Sequence, residues 1–188
     1  MQIRPLKLED LPLVKTFTDR AIGLNYFSQE ELKESFAKSS LNGVMCSFVL
    51  VDDGGTIQGF RLAYPPTTWS KGKGSRLRSD LWPVPLESAA YFQSLFLSDD
   101  VQGQGWGPQL SEASVQAFLQ LGARAIITHA WKESPNNSSI RYLTKFGFKP
   151  VAEHPEYWVD VDYECVRDGK PCRCTAVEMI KLLSKEQA

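Results

Sequence analysis

Several features that define special classes of protein are absent from this sequence of 188 residues. No run of about eighteen apolar residues occurs, so we expect no membrane-spanning helix. The formal net charge is only −1, so neither nucleic acid nor an anionic membrane is expected as a partner. The first residues, Met1-Gln-Ile-Arg, look like the start of a strand rather than a signal peptide. We therefore expect a cytoplasmic globular protein that is monomeric or homodimeric.

Cysteine is scarce as well, with four residues and no secretory context, so reduced thiols are expected. Three of them lie in the pattern Cys165-x-x-Asp168-x-x-x-Cys172-x-Cys174, within a predicted hairpin over residues 159–174. Three thiolates and a carboxylate are acceptable ligands for zinc. The pattern lacks two Cys-x-x-Cys pairs, however, so free thiols on a surface hairpin are favoured over a metal site. Zinc at these four residues is the alternative, and a disulfide is less favoured still.

The order of the predicted elements indicates the fold class. Strand-like and helical patterns follow one another with no internal repeat and no break in composition. Strands are predicted at residues 2–6, 47–52, 57–64, 90–97, 125–131, 148–152 and 175–183, and helices at residues 11–21, 28–37, 108–121 and 138–146. Together they predict one α/β domain over residues 1–188, with a single sheet flanked by helices.

Residues 65–87 form a predicted inserted loop in this pattern. They are rich in proline, glycine and serine, and they carry Lys71, Lys73, Arg76 and Arg78. A solvated, flexible loop is the favoured interpretation, because loops commonly carry charge. Binding of a phosphate or another acidic group is the alternative, since long loops without secondary structure are often functional.

The most informative stretch covers residues 101–108. Gly103, Gly105 and Gly107 occupy alternate positions there, between a predicted strand and a predicted helix, so the backbone can turn tightly and leave its amides uncovered. Pro108 suits the first position of the helix, and a helix N-terminus favours an anion. The stretch lacks the Gly-Lys-Ser/Thr of a P-loop and the glycine spacing of a dinucleotide fold. It predicts a site for a different phosphate-bearing cofactor.

Two motifs at the right spacing resemble one known family. Gln102-x-x-Gly105-x-Gly107 resembles the Gln/Arg-x-x-Gly-x-Gly/Ala loop of the GNAT acetyltransferases. Asn136-x-x-Ser139-x-x-Tyr142-Leu143-x-Lys145-x-Gly147-Phe148 is similar to the family's Asn-x-x-Ala-x-x-Leu-Tyr-x-Lys-x-Gly-Phe. One predicted helix and one predicted strand separate the two motifs, as in the family. The order of elements also agrees, so the resemblance covers residues 2–183.

The resemblance implies a central mixed sheet, largely antiparallel and splayed between its fourth and fifth strands to admit acetyl-CoA. It also implies direct transfer of the acetyl group to a primary amine, on a small molecule or on a peptide or protein. The fourth strand would contact the pantetheine arm, and the glycine loop would hold the pyrophosphate. The residues carried over for cofactor binding are Leu95, Phe96, Leu97, Gln102, Gly103, Gln104, Gly105, Trp106, Gly107 and Asn136.

The catalytic acid and base are less well defined. Leu143 stands where the family often has a tyrosine that protonates the leaving thiolate, and Tyr142 lies one position earlier, about 100° around the helix. Tyr142 is the candidate acid, with a core or surface role as the alternative. The candidate bases are Asp99, Asp100, Glu133 and His129, and a solvent-derived water is the alternative if the amine arrives partly neutral. For His129 we favour a packed histidine whose nitrogens are both satisfied.

The acceptor side is indicated by an aromatic segment. Tyr157 and Trp158 resemble the family's segment after the sixth strand and are candidate walls of the acceptor pocket, with ordinary packing as the alternative. The frequent carboxylate of the fourth strand is missing, since that region reads Gln93-Ser94. A non-catalytic acyl-CoA-binding or regulatory domain is therefore the second hypothesis. A third is an interaction module built on the cysteine hairpin and the basic loop.

Overall fold

The computed structural model describes residues 1–21, 23–74 and 76–184. Its four α-helices are α1 (Leu11–Ala21), α2 (Gln29–Lys38), α3 (Trp106–Gln120) and α4 (Ser138–Lys145). The main sheet has seven strands, namely β1 (Gln2–Pro5), β2 (Phe48–Val51), β3 (Ile57–Tyr64), β4 (Ala89–Leu97), β5 (Ala125–Trp131), β6 (Lys149–His154) and β7 (Ala176–Leu182). None of the helices in these described ranges is long and apolar enough to cross a membrane.

The strands of the main sheet lie in the order β1-β2-β3-β4-β5-β7-β6. Neighbouring strands are antiparallel except for β4 and β5, which are parallel. The predicted fold class, a mixed and largely antiparallel sheet flanked by helices, is confirmed. A short hairpin, Ser40–Leu41 paired with Val44–Met45, was not predicted, because two residues per strand are too few to show an alternating pattern.

Helices cover both faces of the sheet, as neighbouring residues of β3 show, because successive strand residues point to opposite faces. Phe60 packs edge-on against Phe17 of α1, with ring centroids 5.8 Å apart. Arg61 points the other way and donates to the Ser111 hydroxyl of α3 at 2.7 Å. Phe17 and Phe60 are both buried, and full burial of such side chains stabilises the fold by about 1.5–3 kcal/mol each.

The helix starts agree with the sequence at α2 and differ at α3. Ser28 caps α2 by accepting from the Glu31 amide at 3.0 Å, while Glu31 accepts from the Ser28 amide at 2.9 Å, as predicted. In α3 the N-cap is Gly105, with φ of 85°, so Trp106 is the first helical residue. The prediction that Pro108 takes the first position was wrong by two residues. Proline fits its observed place because amides of the first turn have no partner within the helix.

In its described part, residues 65–74 and 76–87, the inserted loop packs its tryptophans onto the sheet, so the favoured expectation of a solvated, flexible loop was wrong at these side chains. Trp69 and Trp82 are only 6% and 8% exposed. The Trp69 indole donates to the Ala89 carbonyl at 2.8 Å, and the Trp82 indole donates to the Glu178 carboxylate at 2.6 Å. The Arg78 amide donates to the same carboxylate at 2.9 Å. Glu178 on β7 therefore fastens the loop to the sheet.

The segment at residues 159–174 consists of turns rather than a hairpin of regular strands. Cys165 and Gly169 exchange two backbone hydrogen bonds, each of 2.8 Å, which close a five-residue loop. Cys165, Cys172 and Cys174 are at most 5% exposed. The expectation of thiols on a surface was therefore wrong, because these side chains face the core between the segment and the sheet.

Candidate active site

A gap between β4 and β5 crosses the sheet. The two strands pair from Ala89 with Ala125 to Phe92 with Thr128, and β4 then runs on to Leu97 away from β5. On its other edge β4 carries a bulge at Gln93, because Leu62 pairs with Ser94 while Ala63 pairs with Phe92. The gap opens into a cavity of about 380 Å³. The resemblance implied such a splay between the fourth and fifth strands, and the structure contains it.

Residues from both faces of the sheet line this cavity. Ser138, Ser139 and Tyr142 of α4 line it on one face, and Tyr26 and Trp158 line it on the face that α1 and α2 cover. We call these two parts the α4 end and the aromatic end. A ligand in the cavity can therefore extend through the sheet from one face to the other.

The glycine loop lies beside the α4 end and has the geometry of an anion site. Gly103 and Gly105 have φ of 74° and 85°, which favour glycine, and the first-turn amides of α3 follow directly. The Gln102 side chain donates to the Leu97 carbonyl at 3.1 Å and the Asp99 carboxylate at 2.9 Å, which ties the loop to the end of β4. A Cβ added at Gly107 would lie 3.5 Å from a methyl carbon of Leu95 and from one of Leu97.

The predicted cofactor residues fall into three groups. Leu95, Phe96, Leu97 and Gln102 line the cavity. Gly103, Gln104, Gly105, Trp106 and Gly107 form the adjoining turn and the start of α3. Asn136 is exposed in a short turn with φ of 53°, and its neighbour Pro135 lines the cavity instead. Contact between Asn136 and the pantetheine arm stays a prediction.

Tyr142 lines the cavity, although its helical position was expected to turn it away. Its hydroxyl lies 2.6 Å from the Ser111 hydroxyl and donates to the Gly107 carbonyl at 3.1 Å. Ser111 in turn accepts from the Arg61 guanidinium, so the Ser111 proton points to Tyr142. Burial lowers the pKa of Arg61 to about 10, so it is charged at neutral pH. Tyr142 thus belongs to a buried polar chain that ends beside the glycine loop.

The aromatic end is lined by the two predicted acceptor residues, Tyr157 and Trp158, together with Tyr26, Tyr91 and Trp131. The rings of Tyr157 and His129 are stacked, with centroids 4.4 Å apart and planes inclined by 16°. Tyr157 and Trp158 are both largely buried. They therefore line the cavity and also pack in the core. A role in the acceptor pocket and ordinary core packing are thus compatible for these two residues.

His129 connects the aromatic end to a buried carboxylate. Its Nδ1 lies 2.8 Å from the Tyr91 hydroxyl, and its Nε2 lies 3.5 Å from Glu178 Oε2 without a hydrogen bond. The expectation that both nitrogens are satisfied was therefore wrong. Burial lowers the pKa of His129, so its imidazole is neutral at pH 7. It also lines the cavity, as a proton acceptor for a bound amine would have to.

Glu178 remains ionised although it is fully buried. Burial raises its pKa, but the side chains of His129, His154 and Trp82 outweigh burial and hold the pKa at about 2. His154 Nε2 lies 2.8 Å from its Oε2. The carboxylate is thus a fixed negative charge behind His129, and it favours the protonated form of that imidazole.

The remaining candidate bases lie elsewhere. Asp99 and Asp100 are exposed, and Asp99 accepts from the Gln102 side chain. Glu133 accepts from the Thr175 amide at 3.0 Å. None of these three is among the residues that line the cavity in the described chain. His129 is therefore the one of the four candidate bases that lines the cavity.

Tyr91 and Glu178 were not predicted as site residues, and Lys73 was predicted only as part of a basic loop that could bind an acidic group. Tyr91 lies at the start of the predicted fourth strand, and its spacing gave no chemical signal. The Lys73 ammonium is paired with Glu31 at 2.8 Å and lies over the Tyr26 ring at 4.9 Å. Burial lowers the pKa of Lys73. It lines the aromatic end, so the basic loop contributes to the cavity.

Unpaired polar atoms concentrate around the cavity. Among the residues that the structure describes, the buried side-chain atoms without a hydrogen-bond partner are Arg61 Nε, Ser94 Oγ, His129 Nε2, Trp131 Nε1 and Tyr157 Oη. All five residues line the cavity. Buried polar groups are nearly always paired in folded proteins, so this concentration indicates a site for a ligand with polar groups.

The splayed sheet, the glycine loop at the start of α3 and the cavity that crosses the sheet define a domain of the GNAT fold. A family model described as the Acetyltransferase (GNAT) family matches residues 15–148, and the chain belongs to this family. Acetyl transfer to amines is the general reaction of the family. No curated protein sequence matches the chain significantly.

Solved structures of similar fold cover almost the whole chain. Naa20 from Chaetomium thermophilum, solved with a bisubstrate analogue, is 17% identical, has a TM-score of 0.70 and aligns over 99% of this chain and 88% of its own. The NatC complex bound to Gag peptide and CoA is 15% identical, has a TM-score of 0.69 and aligns over 98% and 100%. Ribosomal-protein-alanine N-acetyltransferase from Brucella melitensis is 15% identical, with a TM-score of 0.65 over 97% and 100%. At these identities the likeness establishes the fold.

Proposed function

We propose that this chain is an N-acetyltransferase that moves the acetyl group of acetyl-CoA directly to a primary amine. The observation that carries the proposal is the single cavity through the sheet. An anion-binding loop lies at its α4 end, and a neutral imidazole with a carboxylate behind it lies at its aromatic end. A donor with a phosphate-bearing handle and an amine acceptor can therefore meet inside the sheet.

The donor would be held by backbone groups for the most part. The amides of residues 103–107 suit a pyrophosphate, because they lie at a helix N-terminus and three of these five residues are glycines without a side chain. The free edge of β4 at Leu95, Phe96 and Leu97 suits the amide groups of a pantetheine arm, which can pair with a strand edge. Bound acetyl-CoA supplies a thioester that an amine attacks directly. Holding both reactants in one cavity is itself a large part of the rate enhancement.

Tyr91 and His129 would take the proton of the amine. The amine loses its proton to the Tyr91 oxygen while the Tyr91 proton moves to His129 Nδ1, across the observed 2.8 Å contact. Glu178 then stabilises the imidazolium through its negative charge, 3.5 Å from Nε2. As the bond from nitrogen to the acetyl carbon forms, the bond from carbon to sulfur breaks. General base catalysis of this kind contributes typically 10²–10⁴-fold.

Tyr142 is our candidate for the acid that protonates the thiolate. Its hydroxyl proton points to the Gly107 carbonyl, so it must rotate to reach sulfur, and Ser111 with Arg61 can restore the hydrogen bonding. This engaged proton is the observation that favours the second candidate function, a non-catalytic acyl-CoA-binding or regulatory domain. Both functions predict binding of acetyl-CoA, but only the acetyltransferase predicts turnover.

The acceptor is proposed to be a peptide or protein amine, or a small molecule of similar size. Among the similar folds, the NatC complex was solved with a peptide and Naa20 with a bisubstrate analogue. The aromatic end, with Tyr26, Tyr157 and Trp158, gives an amine a face of π-electrons to approach. Lys73 is paired with Glu31 there, so the pocket carries little free positive charge that would repel an ammonium group.

Calorimetry with acetyl-CoA and an assay of thiol release over a panel of peptides and small amines test the proposal. We expect saturable binding of acetyl-CoA, lost in Gly105→Val because φ of 85° excludes a branched side chain. Gly54→Ala in the β2–β3 hairpin is the matched control and should bind normally. Absence of binding at millimolar acetyl-CoA would overturn the assignment.

The proton acceptor is tested in the same assay. Tyr91→Phe and His129→Gln should lower kcat while donor affinity stays unchanged. In the unaltered chain the acidic limb of the rate profile should lie below pH 6.5, the usual pKa of histidine, because burial lowers the pKa of His129. That limb should vanish in His129→Gln. Donor binding without thiol release from any acceptor in the panel would support the regulatory domain instead.

A further inference from the structure

Outside the cavity, a second cluster brings four ligand-type side chains together. One ligand atom from each of Cys165, Asp168, Cys172 and Cys174 lies within 4.8 Å of the others. The Cys165 and Cys174 sulfurs are 3.9 Å apart, and Cys174 Sγ lies 3.4 Å from Asp168 Oδ2. Free thiols were the favoured prediction here, because the spacing lacks two Cys-x-x-Cys pairs. The fold supplies the proximity that the spacing could not show.

These distances match a tetrahedral zinc site. With Zn–S of about 2.3 Å and Zn–O of about 2.0 Å, tetrahedral geometry places two sulfurs about 3.8 Å apart and a sulfur about 3.5 Å from an oxygen. Two of the six separations, 3.9 and 3.4 Å, differ from this geometry by only about a tenth of an ångström, and all six lie within 4.8 Å. A disulfide would require the Cys165 and Cys174 sulfurs to approach to about 2.05 Å.

The backbone of the segment is shaped to hold the four side chains. The two hydrogen bonds between Cys165 and Gly169 close a tight loop, and Gly169 has φ of 72°, which glycine adopts without strain. This loop carries Cys165 and Asp168 three residues apart. Cys172 and Cys174 lie two apart on the extended chain that enters β7, so both can face the same way. The pair Cys165 and Asp168 and the pair Cys172 and Cys174 thus meet from two separate segments of the chain.

The charges around the cluster suit a thiolate-rich metal. Three thiolates and one carboxylate around Zn²⁺ leave a net charge of −2. Arg167 offsets part of it, since its Nη1 lies 3.8 Å from Cys174 Sγ and its Nε lies 3.6 Å from Asp168 Oδ1. The Tyr163 hydroxyl donates to Cys172 Sγ at 3.2 Å, as groups around a metal ligand commonly do.

We propose that Cys165, Asp168, Cys172 and Cys174 form a structural zinc site. All four protein ligands fill the coordination shell, so no position is open for catalysis. Binding would release the thiol protons and cross-link the turn segment to the start of β7. The site adjoins the candidate active site, because the Tyr157 amide donates to the Cys174 carbonyl at 3.0 Å. The zinc would therefore hold the Tyr157 and Trp158 wall of the cavity in place.

The test is the metal content of the full chain purified without chelator and then dialysed. We expect about one zinc per chain, released when a mercurial reagent titrates the thiols. Cobalt(II) in place of zinc should show the d–d bands of tetrahedral geometry and a thiolate charge-transfer band. Asp168 is exposed, so Asp168→Asn should fold normally and lose zinc to a competing chelator at a lower chelator concentration. Asp168→Cys should hold zinc at least as tightly as the unaltered chain.

Cys46→Ser is the matched control, because Cys46 is buried in the other core cluster, and it should keep its zinc. Less than about a tenth of a zinc per chain, both as purified and after incubation with equimolar zinc, would overturn the proposal. A Cys165–Cys174 disulfide found by mass spectrometry without reductant would overturn it as well. Both readouts are independent of acetyl transfer, so they stand whatever the acceptor assay shows.

Discussion

Glu178 offers the sharpest test of the energetics of this fold. It is fully buried and accepts hydrogen bonds from the Trp82 indole at 2.6 Å, the Arg78 amide at 2.9 Å and His154 at 2.8 Å. Glu178→Gln keeps the shape, removes the charge and turns an N–H₂ group toward groups that donate. We expect a large loss of stability, because all three donors lose a charged acceptor and the new N–H₂ group faces donors instead of an acceptor.

The magnitude follows from the pKa of the carboxyl group. A fall from the usual 4.5 to about 2 corresponds to about 3 kcal/mol of stabilisation at neutral pH, at about 1.4 kcal/mol for each pKa unit. Because the folded-state pKa lies below the usual value, this stabilisation is complete above about pH 4.5 and is lost as the pH falls toward about 2. The unaltered chain and Glu178→Gln should therefore become more alike in acid.

The assay is urea unfolding of both proteins at pH 7 and at steps down to pH 3.5. Glu153→Gln on the neighbouring strand β6 is the control, because Glu153 is exposed and pairs with Lys132 at the surface, and its loss should cost less than about 1 kcal/mol. A difference below about 1 kcal/mol for Glu178→Gln at pH 7 would refute the reasoning. So would a difference that does not shrink between pH 4.5 and 3.5.

Two further predictions concern residues beside the cavity. An added Cβ at Gly72 would overlap the Tyr91 hydroxyl and stand 2.8 Å from that of Tyr157, so Gly72→Ala should lower kcat by about 100-fold with donor affinity unchanged, measured by thiol release and calorimetry. Normal turnover would contradict the role of Tyr91. Burial lowers the pKa of Arg61 from 12.5 to about 10, so its charge destabilises the fold by about 3 kcal/mol, and Arg61→Met should unfold at an equal or higher urea concentration. A loss of more than about 1 kcal/mol would contradict this.

Local patterns predicted the four helices and the seven strands of the main sheet. The capping box at Ser28 and Glu31 located the start of α2, and the turn signal at residues 53–55 located the β2–β3 hairpin. Both depend on contacts within a few residues, which a sequence displays directly. Pro108 was misplaced because proline fits any position of the first turn, while the left-handed conformation of Gly105 decided where α3 begins.

The partners in the site could be predicted only in part, because they depend on distant residues. Glu178, which lies 100 residues beyond Arg78 in the chain, holds the 65–87 loop against the sheet by accepting from the Arg78 amide. The alternating pattern of β5 identified His129 as a strand residue without showing that Tyr91 and Glu178 flank it. The glycine loop was recognised because its chemistry resides in consecutive backbone amides. The side chains of Tyr91, His129, His154 and Glu178 come from four different strands, so no short stretch of sequence shows that they lie together.

The short parallel pairing of β4 with β5 gives the sheet two internal edges. The halves β1–β4 and β5–β7 are joined by four residue pairs, and beyond Phe92 and Thr128 each half presents strand edges to the other. An exposed edge usually pairs with another chain, but here helices pack on both faces of the sheet beside these edges. Any molecule that spans the gap must supply hydrogen bonds that a strand would otherwise make. A molecule that binds only the folded domain raises the free energy of unfolding by about 2.7 kcal/mol when its concentration is one hundred times its dissociation constant. The domain is therefore most stable while the gap is occupied.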